Sequence, residues 1–91
     1  MADDRYPETA PDYVLAHKWS IYHREQIEKS EICGCFYCLA IFQPSAIERW
    51  TDNGTTAFCP HCDIDSVIGA ASGYPIDTAF LEKMRQHWFD A

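Results

Sequence analysis

The chain has 91 residues, a formal net charge of −7 and a 47% hydrophobic composition. That length suits one domain, near the size at which an apolar core alone is marginal and a bound metal commonly supplements it. No apolar run is long enough for a transmembrane helix, and the seven Lys and Arg form no cluster, which weighs against a nucleic-acid partner because such binders usually carry a basic patch.

Residues 1–12 are acidic and punctuated by Pro7 and Pro11, and read as a flexible tail before a single domain over 13–91. Val14, Leu15 and Trp19 suggest a turn of helix. Ser20 is the expected N-cap of a helix over 21–29, in which Glu25 and Lys29 are spaced for an i,i+4 ion pair. From Glu31 to Phe42, aromatic and β-branched residues alternate, as in a hairpin wrapped around the first cysteine turn. Ser45-Ala46-Ile47-Glu48 matches a capping box and predicts a short middle helix to Trp50 or Thr51, ended by Asp52-Asn53-Gly54. Thr55 to Phe58 is the expected strand into the second cysteine turn. Ser66 to Ile68 is the strand out, and the two are expected to pair as a second hairpin. Gly69 to Tyr74 reads as a loop of small residues. Asp77 caps the last helix, Thr78 to about Trp88. Ile76 and Leu81 are placed as a hydrophobic staple, and Phe80, Leu81, Met84 and Trp88 recur as a core-facing stripe.

The chemistry lies in Cys35-Phe36-Tyr37-Cys38 and Cys59-Pro60-His61-Cys62, two C-x2-C pairs separated by twenty residues. Tetrahedral zinc takes four thiolate or imidazole ligands, and each such turn supplies two. The expected metal ligands are therefore Cys35, Cys38, Cys59 and Cys62, and the expected cofactor is Zn2+, with iron in the same site left open. Five cysteines behind an acidic N-terminus with no apolar signal stretch read as reduced thiols or metal ligands in a cytoplasmic protein, not as disulfides. Cys33 is the spare thiol. It is read as a small buried apolar residue, with an exposed redox-sensitive thiol as the alternative. His23 is a conceivable replacement ligand, His61 is expected to point to solvent, and His17 and His87 read as surface residues. A four-thiolate site has no open coordination position and is a poor Lewis acid, so no hydrolytic chemistry is expected of it. Asp63 and Asp65 read as a solvated flank of the second turn. Phe36 and Tyr37 are assigned to packing against the neighbouring hairpin.

Cys59-Pro60-His61-Cys62 resembles the active-site motif of periplasmic disulfide oxidases of thioredoxin fold. The long helix that follows the motif in that family is replaced here by Asp63-Ile64-Asp65-Ser66-Val67-Ile68, which reads as strand. The two turns and their flanks, over residues 33–69, resemble a zinc ribbon of the rubredoxin-like group. The longer string is similar to a group of small bacterial cytoplasmic proteins of unknown function. It comprises His23-Arg24-Glu25, Cys33-Gly34-Cys35-Phe36-Tyr37-Cys38, Cys59-Pro60-His61-Cys62, Asp65-Ser66-Val67-Ile68-Gly69 and Ser72-Gly73-Tyr74-Pro75-Ile76, with Asp63 where that group is expected to carry Gly. This resemblance implies a bacterial cytoplasmic zinc protein and carries over no activity.

The expected fold is small α+β, a four-Cys zinc ribbon of two metal-binding hairpins packed with N-terminal, short middle and C-terminal helices. The expected function is that of a non-enzymatic, zinc-stabilised module contacting another protein, with no membrane association. A thiol-based redox or metal-responsive switch is the alternative, followed by a nucleic-acid-binding ribbon.

Overall fold

The architecture follows from a central strand that must serve two faces at once. In the computed structural model, which describes residues 10–89, this strand is β1, Cys33–Cys35. It pairs antiparallel on both sides, with β2 (Ile41–Phe42) through Cys33 opposite Phe42 and with β5 (Val67–Gly69) through Gly34 opposite Ile68. Successive side chains of a strand point to opposite faces. Cys33, Cys35 and Val67 accordingly join one buried cluster with Ile27, Ile47, Ala57 and Cys59. Gly34 and Ile68 turn the other way, towards Leu81 of the C-terminal helix.

That helix, α3 (Thr78–Trp88), starts where the sequence predicts. The Asp77 carboxylate accepts the Phe80 backbone N–H at 2.8 Å, and Leu81 and Met84 are buried beneath it. The second cluster holds these two with Ala16, Phe36 and Ile68, and Ile76, Phe80 and Trp88 pack around it. A short helix α1 (Asp12–Leu15), continued as 3-10 turns over Ala16–Ser20, lies against α3, with His17 stacked on Trp88 at 3.9 Å between ring centroids. No helix among the described residues is long and apolar enough to cross a membrane. Nine of the twelve residues of the expected acidic tail lie outside the described residues.

Three expectations are corrected. The helix expected from Ile21 begins instead at Arg24 (α2, Arg24–Lys29), and Ser20 does not cap it, since its hydroxyl donates to the His17 carbonyl at 2.6 Å. A tertiary contact takes over the cap: the N–H groups of His23 and Arg24 both donate to the Thr55 carbonyl, at 2.8 and 3.0 Å. Tyr22 takes a left-handed φ of 51° at the break, and its N–H donates to Thr56 Oγ1 at 2.9 Å.

The middle helix shrinks to a single 3-10 turn over Pro44–Ala46, and Trp50–Thr51 is strand β3. The capping-box signal at Ser45 loses to pairing of Trp50 with Ala57 and Thr51 with Thr56 of β4 (Thr56–Ala57). Asp52, Asn53 and Gly54 form the tight turn between β3 and β4, all at positive φ. Lastly, the strands flanking the second cysteine turn do not pair with each other. β4 belongs to the two-stranded sheet with β3, and β5 to the three-stranded sheet with β1. The result is a small α+β fold with three short α-helices and two small sheets among the described residues, and a four-cysteine cluster where the sheets meet.

Candidate metal centre

Each C-x2-C segment folds as the same tight turn. In the first, the Leu39 N–H donates to the Cys35 carbonyl at 2.9 Å and the Cys35 N–H to the Ala40 carbonyl at 3.0 Å. In the second, Asp63 N–H to Cys59 carbonyl and Cys59 N–H to Ile64 carbonyl repeat the pattern at 3.0 and 2.9 Å. The residue after the second cysteine is left-handed in both, with φ of 66° at Leu39 and 62° at Asp63. Neither is glycine, so both turns hold a conformation that L-residues other than Asn and Asp rarely take. Asp63 is the better suited of the two, and its carboxylate also pairs with Arg49 at 3.2 Å on the surface.

The turns present their thiols to one point. The sulfurs of Cys35, Cys38, Cys59 and Cys62 all lie within 4.8 Å of one another, with Cys35 to Cys62 and Cys38 to Cys59 at 3.6 Å. Four sulfurs at the usual zinc–thiolate length of about 2.3 Å stand roughly 3.8 Å apart at the corners of a tetrahedron. The two 3.6 Å separations lie close to that figure, and both are far from a disulfide bond of about 2.05 Å. The donor set, its spacing and its geometry therefore fit a tetrahedral thiophilic cation.

Hydrogen bonds turn the backbone towards the sulfurs. Cys35 Sγ accepts from the N–H groups of Tyr37 at 3.3 Å and Cys38 at 3.5 Å, and Cys59 Sγ from the N–H of His61 at 3.3 Å. Such donors stabilise thiolate charge. A further partner breaks the symmetry of the two turns. The buried Ser66 hydroxyl lies 3.1 Å from Cys35 Sγ. Burial works against ionisation of Cys35, but Ser66 and the two N–H groups hold its thiol below the ordinary value. Burial pushes Cys59 up to about 11 and raises Cys62 as well. A positive ion at the centre is what ionises such thiols, since coordination removes their protons.

Sequence reasoning did not single out Ser66 for this part. Its only signal is register: the Ser66 carbonyl accepts the Phe36 N–H at 3.0 Å, which sets Ser66 beside the start of the first turn.

Cys33 stays out of the cluster. It is fully buried, and burial raises its thiol to about 11. That places it as an apolar core residue and removes it as an exposed reactive thiol. His23 is not a ligand either, because both ring nitrogens are engaged elsewhere. Nδ1 lies 2.6 Å from the Trp19 carbonyl, and Nε2 accepts the Ala57 N–H at 3.0 Å. A carbonyl can only accept and an N–H can only donate, so the neutral ring carries its proton on Nδ1. His61 is exposed. His17 packs against Phe36 and Trp88 rather than lying free on the surface.

Compared with models of protein families, with curated proteins and with solved structures, the chain matches none. The zinc-ribbon likeness accordingly stands on the four-cysteine cluster.

Proposed function

We propose that the protein is a non-enzymatic, zinc-stabilised module of the cytoplasm that contacts another protein. The convergence of four thiols at tetrahedral spacing carries the metal half of this reading. Zinc at such a centre has all four positions filled by sulfur, so it contributes folding energy and offers no site for substrate or water. Iron would fit the same sulfurs, and metal analysis separates the two.

The interaction half is supported by surface shape. A groove of about 560 Å³ runs between α2 and the turn before β3, with Ile27, Ile47 and Trp50 among its apolar lining and Arg24, Glu28 and Glu31 among its charged groups. Trp19, Ile21 and Tyr22 stand exposed just ahead of α2 in the chain. The net charge favours a basic partner over a nucleic acid.

Mass spectrometry of the as-purified protein, native against acid-denatured, tests the metal half. One zinc ion per chain is the expected result, and a chain purified with no metal and a Cys59–Cys62 disulfide would overturn it. Affinity capture under gentle conditions tests the other half, with a stoichiometric partner expected and none recovered as the refuting outcome.

A further inference from the structure

The two cysteine turns are near copies in backbone, yet their sulfurs are not equivalent. Cys35 and Cys59, the first of each pair, are fully buried. Of the second members, Cys62 is half-buried and Cys38 is exposed. The hydrogen bonds differ in the same sense. Cys35 accepts from the N–H groups of Tyr37 and Cys38 and meets the Ser66 hydroxyl, and Cys59 accepts from the N–H of His61. The sulfur of Cys38 contacts that of Cys59, and the sulfur of Cys62 that of Cys35, both at 3.6 Å.

Both differences act on reactivity. A thiolate sulfur attacks in proportion to its access and its available electron density. Each N–H donor withdraws some of that density and stabilises the unreacted anion. Those donors serve the buried Cys35 and Cys59, and of the two outer sulfurs Cys38 has the more open access. Cys33, which sequence alone offers as the spare reactive thiol, is sealed in the core.

We infer that Cys38 is the modification site of this protein towards soft carbon electrophiles, and that its alkylation opens the metal centre. The inference rests on the reading of the cluster as a metal site. In the step, the electron pair of the Cys38 sulfur forms an S–C bond to the electrophilic carbon. The bond from that carbon to its leaving group breaks, and the leaving group departs with the pair. The sulfur passes from an anionic thiolate to a neutral thioether, which is a much weaker ligand for a divalent cation of zinc's type. Three thiolates remain, two of them buried, and the centre has lost its outermost corner.

The test uses the full chain as purified, with its metal content measured first. Iodoacetamide is added below one equivalent, and singly modified molecules are mapped by peptide mass spectrometry while a chromophoric chelator reports released metal. Carbamidomethylation is expected at Cys38 roughly ten-fold or more ahead of Cys62, and further ahead of Cys33, Cys35 and Cys59. Metal release should follow Cys38 modification with the same rate constant. First labelling at Cys62 or Cys33, equal rates at Cys38 and Cys62, or release that runs ahead of labelling would each overturn the inference and leave the metal site standing. A chain that is purified without metal overturns the metal reading itself, and this inference with it.

Discussion

Replacing Gly34 by alanine tests how the C-terminal helix is fixed to the metal-bearing sheet. A Cβ at this position would lie 2.7 Å from Leu81 Cδ1, 3.2 Å from Leu81 Cδ2 and 3.0 Å from Ile76 Cγ2. Carbon atoms in good contact stand about 3.5–4.0 Å apart, so the added methyl overlaps two side chains at once. Neither side can yield cheaply. Leu81 is fully buried among Ala16, Phe36, Ile68 and Met84, and β1 is held by Ile41 on one side and Ile68 on the other.

Overpacking of this kind costs about 1–3 kcal/mol, and the lower half of that range is already about 4–16 °C in melting temperature for a domain of this size. Leu81→Ala alone should cost about 2–5 kcal/mol through the cavity it leaves. Combined, the two changes should cost clearly less than their sum, by about 1–2 kcal/mol, because the new methyl enters the space that Leu81 vacates. The assay is urea and thermal unfolding of all four proteins with the metal saturating, so that metal binding contributes equally to each. A Gly34→Ala protein with an unchanged midpoint, or strict additivity in the double variant, would show that Leu81 does not lie on β1.

Further outcomes are expected from single groups. Ser66→Ala should lower metal affinity by about ten-fold or more, read by competition with a chromophoric chelator, and unchanged affinity would deny the Ser66 hydroxyl any role at Cys35. Asp77→Ala should cost about 1 kcal/mol in urea unfolding and Asp77→Asn much less; equal losses would argue against the cap bond to Phe80. Burial lowers the pKa of His23 from 6.5, against the opposing pull of the Trp19 carbonyl and of Asp65. Its folded value thus lies below its unfolded one, so its contribution is complete above about pH 6.5 and is lost as pH falls through the folded value. Nitrogen-15 NMR of the ring should show an Nδ1–H tautomer titrating below 6.5, and a titration at or above 6.5 would refute the buried bridge. Chelation should remove most near-ultraviolet circular dichroism, and an apo chain with native melting behaviour would show that the centre is not structural.

What the sequence made legible was local. Two C-x2-C pairs, the Asp77 cap, the Asp52-Asn53-Gly54 turn and the left-handed Asp63 each depend on a few adjacent residues, and each appears in the fold. What it hid was set by distant partners. The Ser45 capping box was a sound local signal, but a short helix there would have left Ala57 without Trp50 as its strand partner. Ser20 is a good N-cap residue, yet the Thr55 carbonyl already receives the two leading N–H groups of α2 from 31 and 32 positions away. The hairpin expected across the second cysteine turn failed for a similar reason. Val67 and Ile68 find in β1 a strand whose pairing leaves both of them fully buried, one on each face.

That last substitution changes what a metal ion does here. In a ribbon of two hairpins, each turn belongs to a hairpin that already pairs with itself, and the ion joins two such units. In this chain the first turn lies between β1 and β2 of the three-stranded sheet, while the second turn is entered from β4 of one sheet and left through β5 of the other. The second turn is therefore one of two covalent crossings between the sheets, the other being residues 43–49, and the four-sulfur centre fixes it to the first turn. The same gap is also crossed by the buried cluster that sets Ala57 and Trp50 against Ile27, Cys33 and Val67, and by the bonds of Tyr22, His23 and Arg24 to Gly54, Thr55, Thr56 and Ala57. Each of those hydrogen bonds is worth about 0.5–1.5 kcal/mol net, or somewhat more for the Arg24 guanidinium, and none buries much apolar surface on its own. The centre thus acts together with these ties in keeping the β3–β4 hairpin against the rest of the fold. On that arrangement, opening the site at Cys38 would loosen the hairpin and, with Trp50, one wall of the groove beside α2.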